Sequence, residues 1–214
     1  MITGVSLNHG GQYYYRLHKP KVEELCVDEL KDYFYKMLRK CPTDNFLVGP
    51  RSSVLKFDVG SGLEEKDHEV KFLARMGLES NYYGEGHLNV QMFMLAYDKN
   101  TVAIEVPIWL NPSEVEGYEE FFNSQEPLSG HIDIVRVENG KVWIWDYKPN
   151  AHREKYADTQ TFFYALMLSK RTSIPLSEFR CGYFDDKKVY TFDPSSVSSS
   201  KLKPFKSAIS GLTT

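Results

Sequence analysis

Two acids and a lysine can be placed together from turn geometry alone. Asn139-Gly140 separates two β-rich runs, GHIDIVRV and KVWIWDYK. An Asn-Gly pair between such runs is a strong signal for a two-residue hairpin. A two-residue turn pairs Glu138 with Lys141, and the same register then sets Asp133 opposite Asp146. Directly opposed residues have Cβ atoms about 4.5–5.5 Å apart. Lys148 lies two residues beyond Asp146 and therefore points to the same face.

Opposed like charges destabilise a sheet unless a cation, a shared proton or water relieves them. The rest of this face is apolar, with Val135, Val137, Val142 and Ile144, and the other face carries Ile132, Ile134, Trp143, Trp145 and Tyr147. Both faces read as covered, and a carboxylate pair inside a protein is costly unless compensated. A divalent metal is the natural compensation. Carboxylate oxygens plus waters suit Mg²⁺. Lys148 beside them could orient or deprotonate an attacking water. Such a set describes metal-assisted hydrolysis of a phosphodiester. The ordinary alternative is two strand-end aspartates in water with Lys148 as an ion-pair partner.

The elements that must position this cluster follow from periodicity. Residues 21–40 read as an amphipathic helix and residues 63–76 as a second, with Gly77 as its C-cap. Leu88, Val90, Met92, Met94 and Ala96 alternate as in a strand, and residues 101–110 read as another. Residues 111–126 read as a loop with a short helix. Residues 153–170 read as a helix, followed by two short strands at 180–184 and 188–192. Residues 1–20 show no period. This order predicts a single α/β domain of mixed α+β type, with residues 1–62 a helical N-terminal extension and residues 195–214 a flexible tail.

Gly130-His131-Ile132-Asp133, Asp146-Tyr147-Lys148 and Gln160-Thr161-Phe162-Phe163-Tyr164 together resemble the RecB-like branch of the PD-(D/E)XK nucleases. That branch carries GxxD, (D/E)xK and QxxxY in this order. The resemblance implies a restriction-endonuclease-like core, a central mixed β-sheet flanked by helices. It implies Asp133 and Asp146 as Mg²⁺ or Mn²⁺ ligands, joined by the carbonyl of Tyr147. Lys148 would assist the water, with Gln160 and Tyr164 on a helix beside the site. Those two are four apart and share a helix face. The family often adds a helical His and an acid on the preceding strand, which His68 and Glu105 fit. Some relatives hold an iron–sulfur cluster through one upstream and three downstream cysteines. Lys40-Cys41-Pro42 resembles the upstream site, but only Cys181 follows downstream, so no cluster is expected. A small free-standing nuclease of this kind is similar to those of archaeal viruses, the fuselloviruses among them.

Composition sets the outer limits. The chain has 214 residues, 42% hydrophobic and 26% charged, which suits one soluble globular domain. Its net charge of −3 places any DNA contact in a local patch. No apolar run reaches membrane-spanning length and no secretory signal stands at the start, so an intracellular protein with no membrane partner is expected. Cys26, Cys41 and Cys181 form no CxxC pair, which argues against zinc and for three buried thiols. A Cys26–Cys41 disulfide would suit only a hyperthermophilic source.

His152, Arg153 and Lys155 follow the active-site strand and are candidate DNA phosphate contacts, with Lys170, Arg171, Lys187 and Lys188 as a further basic rim. Tyr13, Tyr14 and Tyr15, or Tyr82 and Tyr83, are available either to stack on bases or to pack. The reading is a Mg²⁺-dependent deoxyribonuclease, acting alone or as a homodimer or higher homo-oligomer. The competing readings are a catalytically silent DNA-binding or assembly module of the same fold, and a hydrolase or transferase for another phosphorylated substrate.

Overall fold

The computed structural model describes residues 1–84, 86–197 and 202. In chain order the elements are strands β1 (Ile2–Asn8) and β2 (Gln12–His18), helices α1 (Lys19–Glu23) and α2 (Asp28–Arg39), strand β3 (Glu64–Glu65), and helices α3 (Val70–Ser80) and α4 (Gly86–Tyr97). Then follow β4 (Thr101–Leu110), α5 (Tyr118–Phe122), β5 (Leu128–Glu138), β6 (Lys141–Tyr147), α6 (Ala157–Thr172), β7 (Phe179–Phe184) and β8 (Val189–Phe192). Among the described residues the eight strands form one sheet in the order β1-β2-β4-β5-β6-β7-β8-β3. Only β6 and β7 pair in parallel, and α6 is the crossover that a parallel pair requires.

The Asn139-Gly140 turn forms as its residues dictate. Both residues take positive φ, 51° and 73°, and Glu138 pairs with Lys141. The register then runs through Val137↔Val142 and Val135↔Ile144 to Ile134↔Trp145. Each face of the sheet is covered. One core gathers α2 and α6 residues, among them Phe34, Met37, Phe162 and Leu166, over Val135, Val142 and Ile144. The other packs Val70, Ala74, Val90 and Met94 of α3 and α4 onto Ile104, Ile134, Trp145 and Phe184.

Four expectations need correction. Residues 88–96 are helical, within α4. Their apolar side chains point almost everywhere, with Val90, Met92, Met94 and Leu95 all buried, so alternation here did not report a strand. Leu, Met, Gln and Ala favour helix, and β-branched residues are scarce. Residues 1–62 are not simply a helical extension, because β1 and β2 form a hairpin that joins the sheet through Arg16↔Ile104 and Leu17↔Ala103. The helix of 63–76 begins later, at Val70, and passes through Gly77. A Cβ on Gly77 would stand 2.8 Å from Val90 Cα, so glycine here lets α3 and α4 pack closely. Asn81, at φ 46°, is the actual cap. The single helix of 21–40 is two helices, broken at Glu24–Val27. The expected tail lies outside the described residues apart from 195–197 and Leu202, which is buried.

Candidate active site

At the end of the β5–β6 ladder the pairing changes character. Asp133 Oδ2 accepts the Tyr147 N–H at 3.1 Å, so a side chain takes the place of a ladder carbonyl. Beside it on β4, Glu105 sits between the pairs Ile104↔Ile134 and Val106↔Ile132 with φ at 52°. A left-handed glutamate inside a strand stores about 1–3 kcal/mol of strain and marks sites where geometry serves function.

His87, Glu105 and Asp133 offer ligand atoms that all lie within 4.8 Å of one another. His87 Nε2 stands 3.2 Å from Asp133 Oδ2. Gln91, one turn further along α4, donates from Nε2 to Glu105 Oε1 at 2.6 Å. Asp146 is fully buried, and neither of its oxygens receives a well-aligned hydrogen bond. Lys148 Nζ approaches Asp146 Oδ2 to 2.8 Å. Gln160 Nε2 donates to Tyr164 Oη at 2.7 Å, and the Tyr164 ring packs against Gly130 and Ser52, where a Cβ on Gly130 would stand 2.5 Å from both.

The electrostatics reflect crowding of acids out of water. Burial, and then Asp133, push Asp146 up to about 8. Burial and Asp133 likewise push Glu105 up to about 7, against the pull of the Gln91 hydrogen bond. Burial also opposes charge on Asp133, but His87, Lys148 and the Tyr147 N–H outweigh it and hold this carboxyl below the usual range. Burial opposes charge on His87 and Lys148 as well, and the surrounding acids hold both up, His87 at about 9.

Residues 56–209 match the family model of the PD-(D/E)XK nuclease superfamily. The chain belongs to that superfamily. Its mixed sheet flanked by helices is the restriction-endonuclease-like core that the superfamily implies. Comparison with curated proteins and with solved structures gave no match. The matched segment carries the acids, His87, Lys148, Gln160 and Tyr164, while Ser52 and β1, β2, α1 and α2 lie before it.

The donor set fits a hard divalent cation. Two carboxylates and one imidazole within reach of one another form a candidate divalent-metal site, and Asp146 Oδ1, buried with no hydrogen-bond partner, is the kind of atom a cation satisfies. Of the residues expected at the site, the structure brings together Asp133, Asp146, Tyr147, Lys148, Glu105, Gln160 and Tyr164. It does not bring His68. That ring lies 3.5 Å from Glu138 Oε2 and beside Trp143 and Trp145, outside the cluster. The helical histidine at the site is His87. Reading 88–96 as a strand hid it, although His87 and Gln91 stand four apart, as two residues on one helix face must.

His152, Arg153 and Lys155 are exposed just past β6, without ion pairs among the described residues. Arg171 is not part of a basic rim, because it pairs with Glu114 and stacks on Trp109. Lys188 pairs with Glu65. Of the cysteines only Cys181 is fully buried; Cys26 is exposed, Cys41 half-buried, and all three are free thiols. No helix among the described residues is long and apolar enough to cross a membrane.

Proposed function

We propose that the protein is a metal-dependent deoxyribonuclease of RecB-like type, hydrolysing DNA phosphodiester bonds. The observation that carries this reading is the buried Asp133–Asp146 pair, with Lys148 on one side and the His87–Glu105 group on the other. Membership of a nuclease superfamily supports it. So does the order of Gly130/Asp133, Asp146/Lys148 and Gln160/Tyr164 along the chain.

Asp133, Asp146, Glu105 and His87, with the carbonyl of Tyr147, would hold Mg²⁺ or Mn²⁺. A bound divalent ion supplies Lewis-acid polarisation of the phosphate and a more acidic water. Lys148 Nζ, fixed against Asp146, orients the attacking water and offsets charge that builds on phosphate oxygens. Gln91 holds the Glu105 carboxylate in its aim. Gln160 and Tyr164 wall the site from α6, with their hydrogen bond fixing the phenol. Exposed His152, Arg153 and Lys155 give phosphate contacts without sequence preference.

The test is incubation of linear, circular and branched DNA with the protein in Mg²⁺ or Mn²⁺, beside an EDTA control. Cleavage that requires the metal is the expected result. Intact DNA of every form, from folded protein with metal bound, would refute the reading in favour of a silent DNA-binding module.

A further inference from the structure

Helix α4 carries His87 to the acid cluster, yet its apolar packing does not fix how it is turned. Val90, Met92, Met94 and Leu95 are all buried, so apolar side chains point to most sides. A helix without one apolar stripe has no single preferred face, and methionine adapts to more than one position. A slip of one residue swings each side chain by about 100°. It would carry the His87 ring, whose Nε2 stands 3.2 Å from Asp133 Oδ2, out of the cluster. Polar contacts must therefore index this helix.

They stand at the end of α4 away from His87. Asp98 follows the helix directly, and its N–H donates to Met94 O at 3.0 Å. Its carboxylate accepts from Arg136, Nε to Oδ2 at 2.8 Å and Nη2 to Oδ1 at 3.2 Å, and from Thr101 Oγ1 at 2.5 Å. Arg136 is fully buried, and it also donates to Glu138 at 2.7 Å and to Glu69, the residue before α3. Lys21 of α1 donates to the carbonyls of Leu95 and Asp98, both at 2.6 Å, and of Thr101 at 3.2 Å. A cation at a helix C-terminus is ordinary, but a guanidinium wholly withdrawn from water is not. Arg136 and Asp133 belong to one strand, β5, so α4 meets the same rigid element at both of its ends. A buried ion pair seldom adds stability over well-packed apolar groups of its size, and its best-attested use is to fix register.

We infer that the Arg136–Asp98 pair, with Lys21, is a positioning device that sets the rotation and axial position of α4 and so aims His87 at the metal site. The inference rests on the reading of that site given above. These residues act through His87 and touch no substrate.

The test is calorimetric titration of Mn²⁺ into the full chain and its variants, with a melting curve for each. Arg136→Met/Asp98→Leu exchanges the ion pair for apolar groups. Lys21→Met is titrated beside it and carries the test if the double variant does not fold. Met37→Ala opens a cavity under α2 and supplies a loss of stability away from α4. The ion-pair variant is expected to lose about tenfold or more in Mn²⁺ affinity, the scale for groups that orient a metal ligand. Lys21→Met weakens binding in the same direction, and Met37→Ala binds as the parent does. In a His87→Ala background the ion-pair exchange costs less than about twofold more, because the side chain it aims is gone. Unchanged affinity in the folded variants, an equal loss in Met37→Ala, or the full tenfold loss with His87 already absent overturns the proposal. Cleavage of DNA in Mn²⁺ is scored separately. A parent that binds Mn²⁺, with its variants in the expected order, yet cuts nothing sinks the nuclease reading and leaves the indexing of α4 standing. A parent that cuts DNA while its variants bind Mn²⁺ unchanged does the reverse.

Discussion

His87 Nε2 stands 3.2 Å from Asp133 Oδ2, and His68, on the chain before α3, pairs instead with Glu138. These two histidines separate the roles that a helical histidine can play here. His87→Ala should weaken Mn²⁺ binding about 10- to 100-fold, the scale on which groups at a metal site tune affinity. His68→Ala should leave Mn²⁺ affinity unchanged. Calorimetric titration of both variants decides, and equal loss in the two would return His68 to the site.

Gly130→Ala should destabilise by about 1–3 kcal/mol, as overpacking does. The new methyl would stand 2.5 Å from Tyr164 Cε1 and from Ser52 Oγ. One side must give, and Tyr164 is itself held by Gln160. The thermal midpoint should fall by several degrees. An unchanged midpoint would show that this packing is slack.

Stability should fall in mild acid because of His9. Its ring is buried, stacked on Phe46, with Nδ1 2.9 Å from His131 Nε2. Cys41 and Arg51 complete its surroundings. Burial, and then Arg51, lower its pKa from 6.5 to about 4. The unfolded chain therefore takes up this proton first. Its contribution is complete above pH 6.5 and drains away as pH falls towards 4. Urea midpoints across that window should drop, and drop less steeply in His9→Gln. Parallel curves for the two proteins would assign the loss to other groups.

The hairpin and the helix behind it were legible because each obeys a simple period. Asn139-Gly140 set a register that the structure follows from Glu138↔Lys141 to Ile134↔Trp145, and Gln160 with Tyr164 needed only a helical turn. The same alternation misled at α4, where a buried helix is apolar on most sides and shows no clear stripe. Composition was the better guide there, and it would have placed His87 and Gln91 on one face. The β1–β2 hairpin stayed hidden because Tyr13, Tyr14 and Tyr15 break any alternation of polarity. Gly10-Gly11 between the two runs was the available signal. Tyr14 and Arg16 stand two apart on β2 and share a face, but their place beside β4 depends on the tertiary pairing of Arg16 with Ile104.

In the nuclease proposed above, the buried Asp133–Asp146 pair drives metal-dependent cleavage. The most direct measurement is a time course of DNA cleavage in Mn²⁺ by the parent and by Asp146→Asn, both shown to be folded by their melting curves. Asn keeps the shape of Asp146 and removes the charge that a cation needs. The parent should cut DNA in a way that EDTA abolishes, and the variant should lose about a hundredfold or more, the scale on which removing one electrostatic stabiliser acts. Equal cutting by both proteins would contradict it.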